Sequence, residues 1–176
     1  MLIFIPLGGL SLRVTGAEKP MVVFPGAKPT DEEVISLLGN PEEENSPGAI
    51  SWPGEYNVGG ASIRGIAHRE GQQSSYVAEI DGVRIAFLSS PLQDWTDHDL
   101  EFVGDIDVLV LPTDDAKLAQ KLLDEFDPRA LILLPSHDHA NVVKSIAAGA
   151  LSVEEYKLKG KSSLPAEGRE VVVLTK

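Results

Sequence analysis

Hydrophobic positions along this chain follow two patterns, and the pattern changes near its middle. In the first half, short apolar runs alternate with polar residues and are separated by turns rich in glycine and proline, which predicts strands. The clearest pair is Tyr76–Ile80 and Val83–Leu88, joined by Asp81-Gly82, a dipeptide typical of a two-residue β-hairpin. In the second half, continuous apolar runs alternate with amphipathic segments, which predicts buried strands covered by helices. The pattern as a whole therefore predicts a mixed α/β domain.

These patterns place individual elements along the chain. Before the hairpin we predict strands at Leu2–Ile5, Leu10–Val14 and Met21–Phe24, and one bent strand at Asn57–Ile66 that is interrupted by Gly59-Gly60. After the hairpin we predict helices at Thr96–Phe102, Ala116–Phe126 and Asn141–Ala148, and strands at Asp107–Leu111, Ala130–Leu134 and Val171–Leu174. The segment Gly39–Gly48 is predicted to be a loop.

The segment Thr30–Leu38 has two interpretations. Thr30 and Glu33 have the spacing of a capping box, and Val34, Leu37 and Leu38 have helical spacing. The apolar run at its end also fits a short buried strand. The sequence does not decide between a helix and a strand here.

Length and composition limit the class of protein further. With 176 residues we expect one domain that spans residues 1–176, and 43% hydrophobic residues is typical of a globular protein with a core. Met1–Leu12 is apolar but lacks the basic start and the small-residue cleavage site of a signal peptide. No apolar run reaches the roughly 20 residues that a membrane span needs. We therefore expect a cytoplasmic protein without a membrane partner.

Charge and cysteine content exclude further functions. The formal net charge is -12 at pH 7. Because nucleic-acid binding depends on Lys and Arg side chains that neutralise phosphates, this charge argues against a nucleic-acid partner. The chain has no cysteine, which excludes disulfides and leaves only nitrogen and oxygen donors for a metal.

A series of short motifs gives the chain a resemblance to a known family. The motifs run in order from Pro53-Gly54-Glu55-Tyr56 through the Asp81-Gly82 hairpin and Gly104–Leu109 to Leu133–His137. In this order and spacing the chain resembles the metallo-β-lactamase superfamily, and within it the small metal-dependent hydrolases related to ascorbate-6-phosphate lactonase. The resemblance implies a four-layer αββα sandwich, here with a shortened N-terminal half, and an active site at one edge between the two sheets.

The resemblance also implies a metal site built from five motifs, most of which this chain lacks. Phe24 stands where the family has an Asp, and Ser90 stands where it has the bridging Asp. The His-x-His-x-Asp-His motif would fall in Gly39–Asn45, but no histidine precedes His68. Only His68 and His137 match the remaining two positions. Because a catalytic zinc needs three protein ligands, we expect a degenerate member with no catalytic residue, no metal and no cofactor.

Five residues are candidates for a binding site that replaces the metal site. Each lies at or just after the end of a predicted strand, where a rigid scaffold commonly presents functional side chains. They are His68, Ser89, Ser90, Thr113 and His137. We expect them to form a polar depression at one edge of the sandwich that favours small polar or weakly anionic ligands.

These residues also have competing interpretations. His68 can be a polar residue at a strand end, and Thr113 can belong to the N-terminal cap of the following helix. Ser90 with His137 could act as nucleophile and base, although no orienting acid is identifiable. The cluster Ser136–His139 could bind a metal or form a capped turn.

Three functions remain open. The missing metal ligands favour a non-catalytic protein that binds a small polar ligand or a partner protein. The first alternative is a metal-dependent hydrolase with an incomplete site made by His68, His137 and His139. The second is an obligate structural subunit with a relic cleft. Association into a homo-oligomer is compatible with all three.

Overall fold

The computed structural model describes all 176 residues, which form two β-sheets and three α-helices. The first sheet contains β1 (Leu2–Gly8), β2 (Ser11–Thr15), β3 (Met21–Val23), β4 (Ile35–Leu37), β5 (Ala49–Ile50) and β13 (Tyr156–Leu158). The second sheet contains β6 (Gly54–Val58), β7 (Ala61–His68), β8 (Gln73–Ile80), β9 (Val83–Phe87), β10 (Val108–Pro112), β11 (Ala130–Leu134), β12 (Leu151–Val153) and β14 (Glu170–Leu174). The helices are α1 (Asp97–Val103), α2 (Ala116–Phe126) and α3 (His139–Ile146).

Each sheet has an antiparallel part and a parallel part. The first has the order β13-β1-β2-β3-β4-β5 and is antiparallel as far as β3 and parallel beyond it. The second has the order β12-β14-β11-β10-β9-β8-β7-β6, antiparallel from β6 to β9 and parallel from β9 to β12. Because β9, β10 and β11 are parallel neighbours, their carboxyl ends lie at one edge of this sheet.

Two hydrophobic cores hold the layers together. A cluster of 27 buried residues, including Phe4, Tyr76 and Phe87, fills the space between the two sheets. A second cluster of 19, including Leu122 and Val142, lies between the second sheet and the helices. No helical residue belongs to the first cluster, so all three helices cover the second sheet. The first sheet, built mostly from the shortened N-terminal half, has no helix over its outer face.

The two-sheet sandwich and most predicted elements are confirmed, but the expected fourth layer is missing, because the helices cover only the second sheet and the arrangement is ββα instead of αββα. Helix α2 and strand β11 have the predicted bounds. Thr96 caps α1, because its hydroxyl accepts a hydrogen bond from the backbone N–H of Asp99 at 3.1 Å. Asp81-Gly82 forms the predicted hairpin turn, with φ angles of 49° and 75°. Gly39–Gly48 is a loop without helix or strand, as expected.

The ambiguous segment Thr30–Leu38 is resolved in favour of a strand, which covers only its end, Ile35–Leu37. The expected capping signal does not start a helix, since the Asp31 side chain accepts a hydrogen bond from the backbone N–H of Glu33 at 2.8 Å. A local bond of this kind stabilises a turn. The following residues are then free to pair with β3 and β5.

The predicted bent strand Asn57–Ile66 is wrong. The structure has two antiparallel strands there, β6 and β7, joined by the two-residue turn Gly59-Gly60. Both glycines have positive φ, 55° and 79°, as a type I′ turn requires. The same glycines that interrupt the apolar pattern therefore reverse the chain instead of bending it.

The sequence patterns did not predict β12 and β13. Each strand has only three residues, and the two are separated by Glu154-Glu155, so neither gives a clear alternating pattern. Strand β13 nevertheless completes the first sheet by pairing with β1. No helix of the structure combines the length and the apolar character needed to cross a membrane.

Candidate binding cleft

Three neighbouring strands bring polar residues together at one edge of the second sheet. Ser90 follows β9, Asp114 follows β10, and Ser136 and His137 follow β11. Since β10 lies between β9 and β11, Asp114 is flanked by the residues that follow its two neighbours. The geometry of this edge is therefore centred on Asp114, which was not among the five predicted site residues.

The Asp114 carboxylate accepts three hydrogen bonds from the surrounding loops. Oδ2 accepts from the Ser90 hydroxyl at 2.7 Å and from the backbone N–H of Leu92 at 2.8 Å. Oδ1 accepts from the Ser136 hydroxyl at 2.5 Å. The exposed His137 ring lies at the rim, with Nε2 3.8 Å from Oδ1. Asp114 itself is only 9% exposed, so its charge is buried at the floor of the site.

Thr113 lies beside Asp114 but serves the structure of the edge. Its side chain is fully buried, its hydroxyl donates to the Leu134 carbonyl at 3.2 Å, and it accepts from the backbone N–H of Ser136 at 2.7 Å. His139 Nδ1 lies 3.1 Å from the same hydroxyl. The segment Thr113-Asp114-Asp115 does cap α2, as one interpretation expected, but the capping residue is Asp115, which accepts a hydrogen bond from the backbone N–H of Leu118.

Ser89 points its hydroxyl into a second buried cluster. Gln73 Nε2 donates to Ser89 Oγ and to the Pro91 carbonyl, both at 2.8 Å, and Ser75 Oγ lies 3.1 Å from Ser89 Oγ. Gln73 Oε1 has no hydrogen-bond partner. Although Ser89 neighbours Ser90 in sequence, its hydroxyl therefore belongs to a different network.

His68 is the last residue of β7 and the cross-strand neighbour of Gln73 in β8. Its ring is 7% exposed and packs edge-on against Trp95, with 5.2 Å between ring centroids. Nε2 has no hydrogen-bond partner. Burial lowers the pKa of His68 below its ordinary value, and the nearby Asp99 carboxylate opposes this shift. The structure thus joins Ser90, Thr113 and His137 around Asp114, and it places His68 and Ser89 in the neighbouring buried cluster.

A depression of about 190 Å³, which we call the inner cleft, opens beside Ser90 between the two sheets. Its polar lining consists of Asn40, Ser89 and Ser90, and its apolar lining includes Phe24 and Leu134. It adjoins a shallower space of about 410 Å³, the outer depression, which shares Pro25, Gly39 and Asn40 with it. Two charged side chains, Lys28 and Glu42, line the outer depression.

Phe24 occupies the edge where the superfamily resemblance implies a metal-binding Asp. A Cβ atom added at Gly39 would lie 3.5 Å from the Phe24 ring and 3.8 Å from Ser89 Cβ, so the ring and the loop are already in close contact. The Phe24 ring also packs against Tyr76 at 6.3 Å. An apolar ring thus contributes to the lining where a carboxylate ligand would be expected.

The side chains of this edge do not fit a catalytic metal. No group of three or more His, Cys, Asp or Glu side chains converges in the way that a bound metal ion requires. His68 is buried against Trp95, His139 contacts Thr113, and His137 reaches only the rim. A catalytic zinc needs three protein ligands around one open position, and the three histidines do not supply them.

The same residues do not form a serine hydrolase site either. The Ser90 hydroxyl donates directly to Asp114, and His137 lies on the other side of this carboxylate. In a Ser-His-Asp arrangement the histidine takes the serine proton, and the acid contacts the histidine and not the serine. The acid that the sequence did not identify is therefore present, but in the wrong place for a Ser-His-Asp arrangement.

The sequence also contained a signal for Asp114. Asp114 follows the fully apolar strand β10 after one intervening residue, at the carboxyl end of a buried strand, where ligand sites are common. Asp114 and Asp115 are adjacent, however, and either could cap α2. Gln73 and Ser75 gave no signal, because they lie at the start of β8, before Tyr76, where the sequence pattern predicted no strand.

The architecture and the sequence together define the class of protein. A family model described as a beta-lactamase superfamily domain matches residues 26–149, which is more than two thirds of the chain. The chain belongs to this superfamily, and the two-sheet sandwich shows its metallo-β-lactamase fold. A comparison with curated proteins gives no significant match.

Several solved structures share the fold. One is a candidate Zn-dependent hydrolase of the metallo-beta-lactamase superfamily from Thermotoga maritima, with a TM-score of 0.79, 20% identity, and coverage of 99% of this chain and 98% of that one. A metallo-beta-lactamase fold protein from Bacillus subtilis has a TM-score of 0.58 and 9% identity, covering 98% of this chain and 96% of its own. A metallo hydrolase from Ignicoccus hospitalis has a TM-score of 0.53 and 12% identity, covering 80% and 85%. At these identities the likeness shows the fold alone.

Proposed function

We propose that this chain is a degenerate member of the superfamily, without zinc-dependent hydrolysis, which uses the inner cleft to bind a small polar ligand. The observation that carries the proposal is the replacement of metal ligands at this edge. Phe24, the histidine-free loop Gly39–Asn45 and Ser90 stand at three of the five motif positions. Within the superfamily, the order of motifs from Pro53 to His137 supports a place near the small hydrolases related to ascorbate-6-phosphate lactonase.

The hydrogen bonds at this edge support the first part of the proposal. They indicate that the polar side chains stabilise the fold at the position where related proteins would bind a metal. The Ser90 hydroxyl and the Asp114 carboxylate satisfy each other at 2.7 Å. The Ser136 hydroxyl is held on the other carboxylate oxygen. Groups that saturate one another in this way are not held ready for a metal ion, whose ligands must turn their lone pairs toward one point.

The shape of this edge favours the ligand-binding function over the alternative of a structural subunit whose cleft has no function. About 190 Å³ of space lies beside Ser90, and the outer depression shares Pro25, Gly39 and Asn40 with it. The lining combines apolar walls with a few polar groups, which is the usual composition of a small-molecule site. The alternative of a mononuclear hydrolase gains no support, because His68, His137 and His139 do not meet.

Metal content tests the first half of the proposal. Untagged protein, purified without chelators, should contain far less than one zinc per chain by elemental analysis. It should also show no zinc-dependent hydrolysis of bis(p-nitrophenyl) phosphate or of a simple lactone. About one metal per chain, lost in His137→Ala but kept in His98→Ala, would overturn it. His98 is the matched control, since it is an exposed histidine on α1 away from the cleft.

Binding in the cleft tests the second half. Glycerol and acetamide, titrated into ¹⁵N-labelled protein, should cause saturable shifts of the backbone amides of Gly39, Asn40 and Ser90. Ser90→Ala should weaken these shifts, whereas Ser62→Ala, which removes an exposed hydroxyl on β7, should not. If neither these compounds nor charged probes of similar size shift the cleft amides, the ligand-binding function fails and the structural-subunit alternative gains support.

A further inference from the structure

The inner cleft has no positively charged lining. None of its ten lining residues is Lys, Arg or His, and two of them, Pro25 and Pro112, also lack a backbone N–H. The lining cation of the outer depression, Lys28, shares that space with the Glu42 carboxylate. An anionic ligand would therefore find few donors in the inner cleft.

The polar groups of the inner cleft are held so that acceptors remain free. The hydrogen of the Ser90 hydroxyl is used by Asp114, which leaves the oxygen lone pairs of Ser90 available. Asn40 Nδ2 donates to the Gln72 carbonyl at 2.9 Å, which fixes the amide group and leaves its oxygen without a partner in the chain. Both oxygens can accept hydrogen bonds from a ligand that carries N–H donors.

The buried charge beneath Ser90 adds an electrostatic preference. All three hydrogen bonds to Asp114 come from neutral groups, and no Lys or Arg pairs with it. The nearest basic side chain is His137, which is 73% exposed and 3.8 Å away. Asp114 does not line the cleft itself, but its carboxylate lies one hydrogen bond behind Ser90, and a buried carboxylate without a Lys or Arg partner favours a cation nearby.

We propose that the inner cleft selects a small organic ammonium ion, held by Ser90 Oγ and Asn40 Oδ1, with the Asp114 carboxylate one hydrogen bond behind Ser90. The Phe24 ring lines the same space and adds an aromatic surface, which attracts organic cations. The inference rests on the proposed function of this cleft and specifies its ligand class. It replaces the sequence-based expectation of a weakly anionic ligand, because the lining offers acceptors and a buried negative charge lies behind Ser90.

The test compares three small probes of similar size whose polar groups are cationic, neutral and anionic. Propylammonium, propanol and propionate are titrated separately into the full ¹⁵N-labelled chain at pH 7. Propylammonium should shift the amides of Asn40 and Ser90 saturably, with a Kd at least about tenfold lower than those of the other two probes. Equal or tighter binding of propanol or propionate would overturn the ammonium assignment and leave the ligand-binding function intact. No response to any of the three would count against both.

Two variants separate the charge from the hydrogen bonds. Asp114→Asn should weaken propylammonium binding at least about tenfold and leave propanol binding unchanged. Asp115→Asn is the matched control, because it removes the same charge one residue away at the exposed cap of α2, where Asn also caps well.

A second variant tests the hydrogen bonds and can be used if Asp114→Asn folds poorly. Asn40→Leu removes an acceptor at an exposed position outside the Asp114 network. It should weaken propylammonium binding by about threefold or more. Unchanged binding in Asn40→Leu would overturn the proposed contacts.

Discussion

His68 matches a family motif position but lies in a buried, largely apolar environment. The side chain packs against Trp95, its Nε2 has no partner, and burial lowers its pKa. In the unfolded chain the pKa of a histidine is about 6.5. Between the folded and the unfolded pKa, the unfolded state binds more protons than the folded state, so low pH favours unfolding. This contribution is complete above pH 6.5 and is lost as the pH falls toward the folded pKa.

We predict that His68 makes the protein less stable on mild acidification. As the pH falls below 6.5, the free energy of unfolding should decrease by up to about 1.4 kcal/mol per pH unit from this residue alone. Urea unfolding at pH 7.5, 6.5 and 5.5 measures the effect, and His68→Gln should remove it. The exposed His98→Gln is the control. The groups that face His68 are Trp95, Gln73 and Asp99. A parallel loss of stability in wild type and His68→Gln would show that other groups cause it.

Ser90 offers a second test at the residue scale, because a carboxylate at this position is what the family resemblance implies. In Ser90→Asp the new carboxylate would lie beside Asp114, since Ser90 Oγ is only 2.7 Å from it. Like charges at this distance disfavour ionisation of both groups.

For Ser90→Asp we expect no zinc-dependent hydrolysis of bis(p-nitrophenyl) phosphate, and a loss of about 1–3 kcal/mol of unfolding free energy at pH 7. The loss should be smaller at pH 4.5, where one carboxyl group can be protonated, and absent in the exposed control Ser62→Asp. Zinc-dependent turnover in the single variant would contradict the expectation.

For single residues, the sequence predicts at which edge of the sheet a side chain lies better than it predicts which groups that side chain contacts. Ser90, Thr113 and His137 could be placed at one edge because each follows a predicted strand. The role of Asp114 could not be predicted, because Asp114 and Asp115 are equally good caps until β9 and β11 are seen on either side. The separation of Ser89 from Ser90 depends on side-chain direction at a strand end, which the sequence pattern does not specify.

At the scale of elements, the two hairpin turns of the second sheet form a matched pair. Gly60 and Gly82 occupy the same turn position, with φ angles of 79° and 75°. A Cβ atom at Gly60 would lie 3.0 Å from the Glu18 backbone nitrogen, whereas nothing lies within 4 Å of one at Gly82. We expect Gly82→Ala to cost about 1 kcal/mol for the positive φ alone. Gly60→Ala should cost at least about twice as much. Urea unfolding of both variants measures the difference, and equal costs would show that the β2–β3 turn yields to the new methyl group.

These turns also show which parts of the fold the sequence determines locally. Asp81-Gly82 was predicted because clear strands flank it, while Gly59-Gly60 was misread because β6 is short and mostly exposed. The segment Thr30–Leu38 stayed ambiguous for a similar reason. Its outcome depends on β3 and β5 as partners, and these are contacts across the sheet. Long buried elements such as α2 and β11 carry their own pattern and were placed at their observed bounds.

At the scale of the whole molecule, the two sheets differ in how they are protected from water. Strands β10 and β11 are buried along their whole length, because the first sheet covers one face and the helices cover the other. In β1 and β2 burial is incomplete: buried residues such as Phe4, Leu12 and Val14 face the core, whereas Ile3, Ile5 and Arg13 on the outer face are partly exposed. The shortened N-terminal half thus leaves one sheet with a single protected face.

We predict that this asymmetry controls hydrogen exchange across the molecule. Amides of β10 and β11 should exchange at least about tenfold more slowly than those of β1 and β2, because local opening is easiest where few buried contacts hold a strand. Exchange followed by mass spectrometry at pH 7 measures both sheets in one experiment. Equal protection of the two sheets would mean that the outer face of the first sheet is covered in solution. In that case the measurement is repeated after tenfold dilution. Faster exchange of β1 and β2 alone would identify the cover as a second copy of the chain, since self-association depends on concentration.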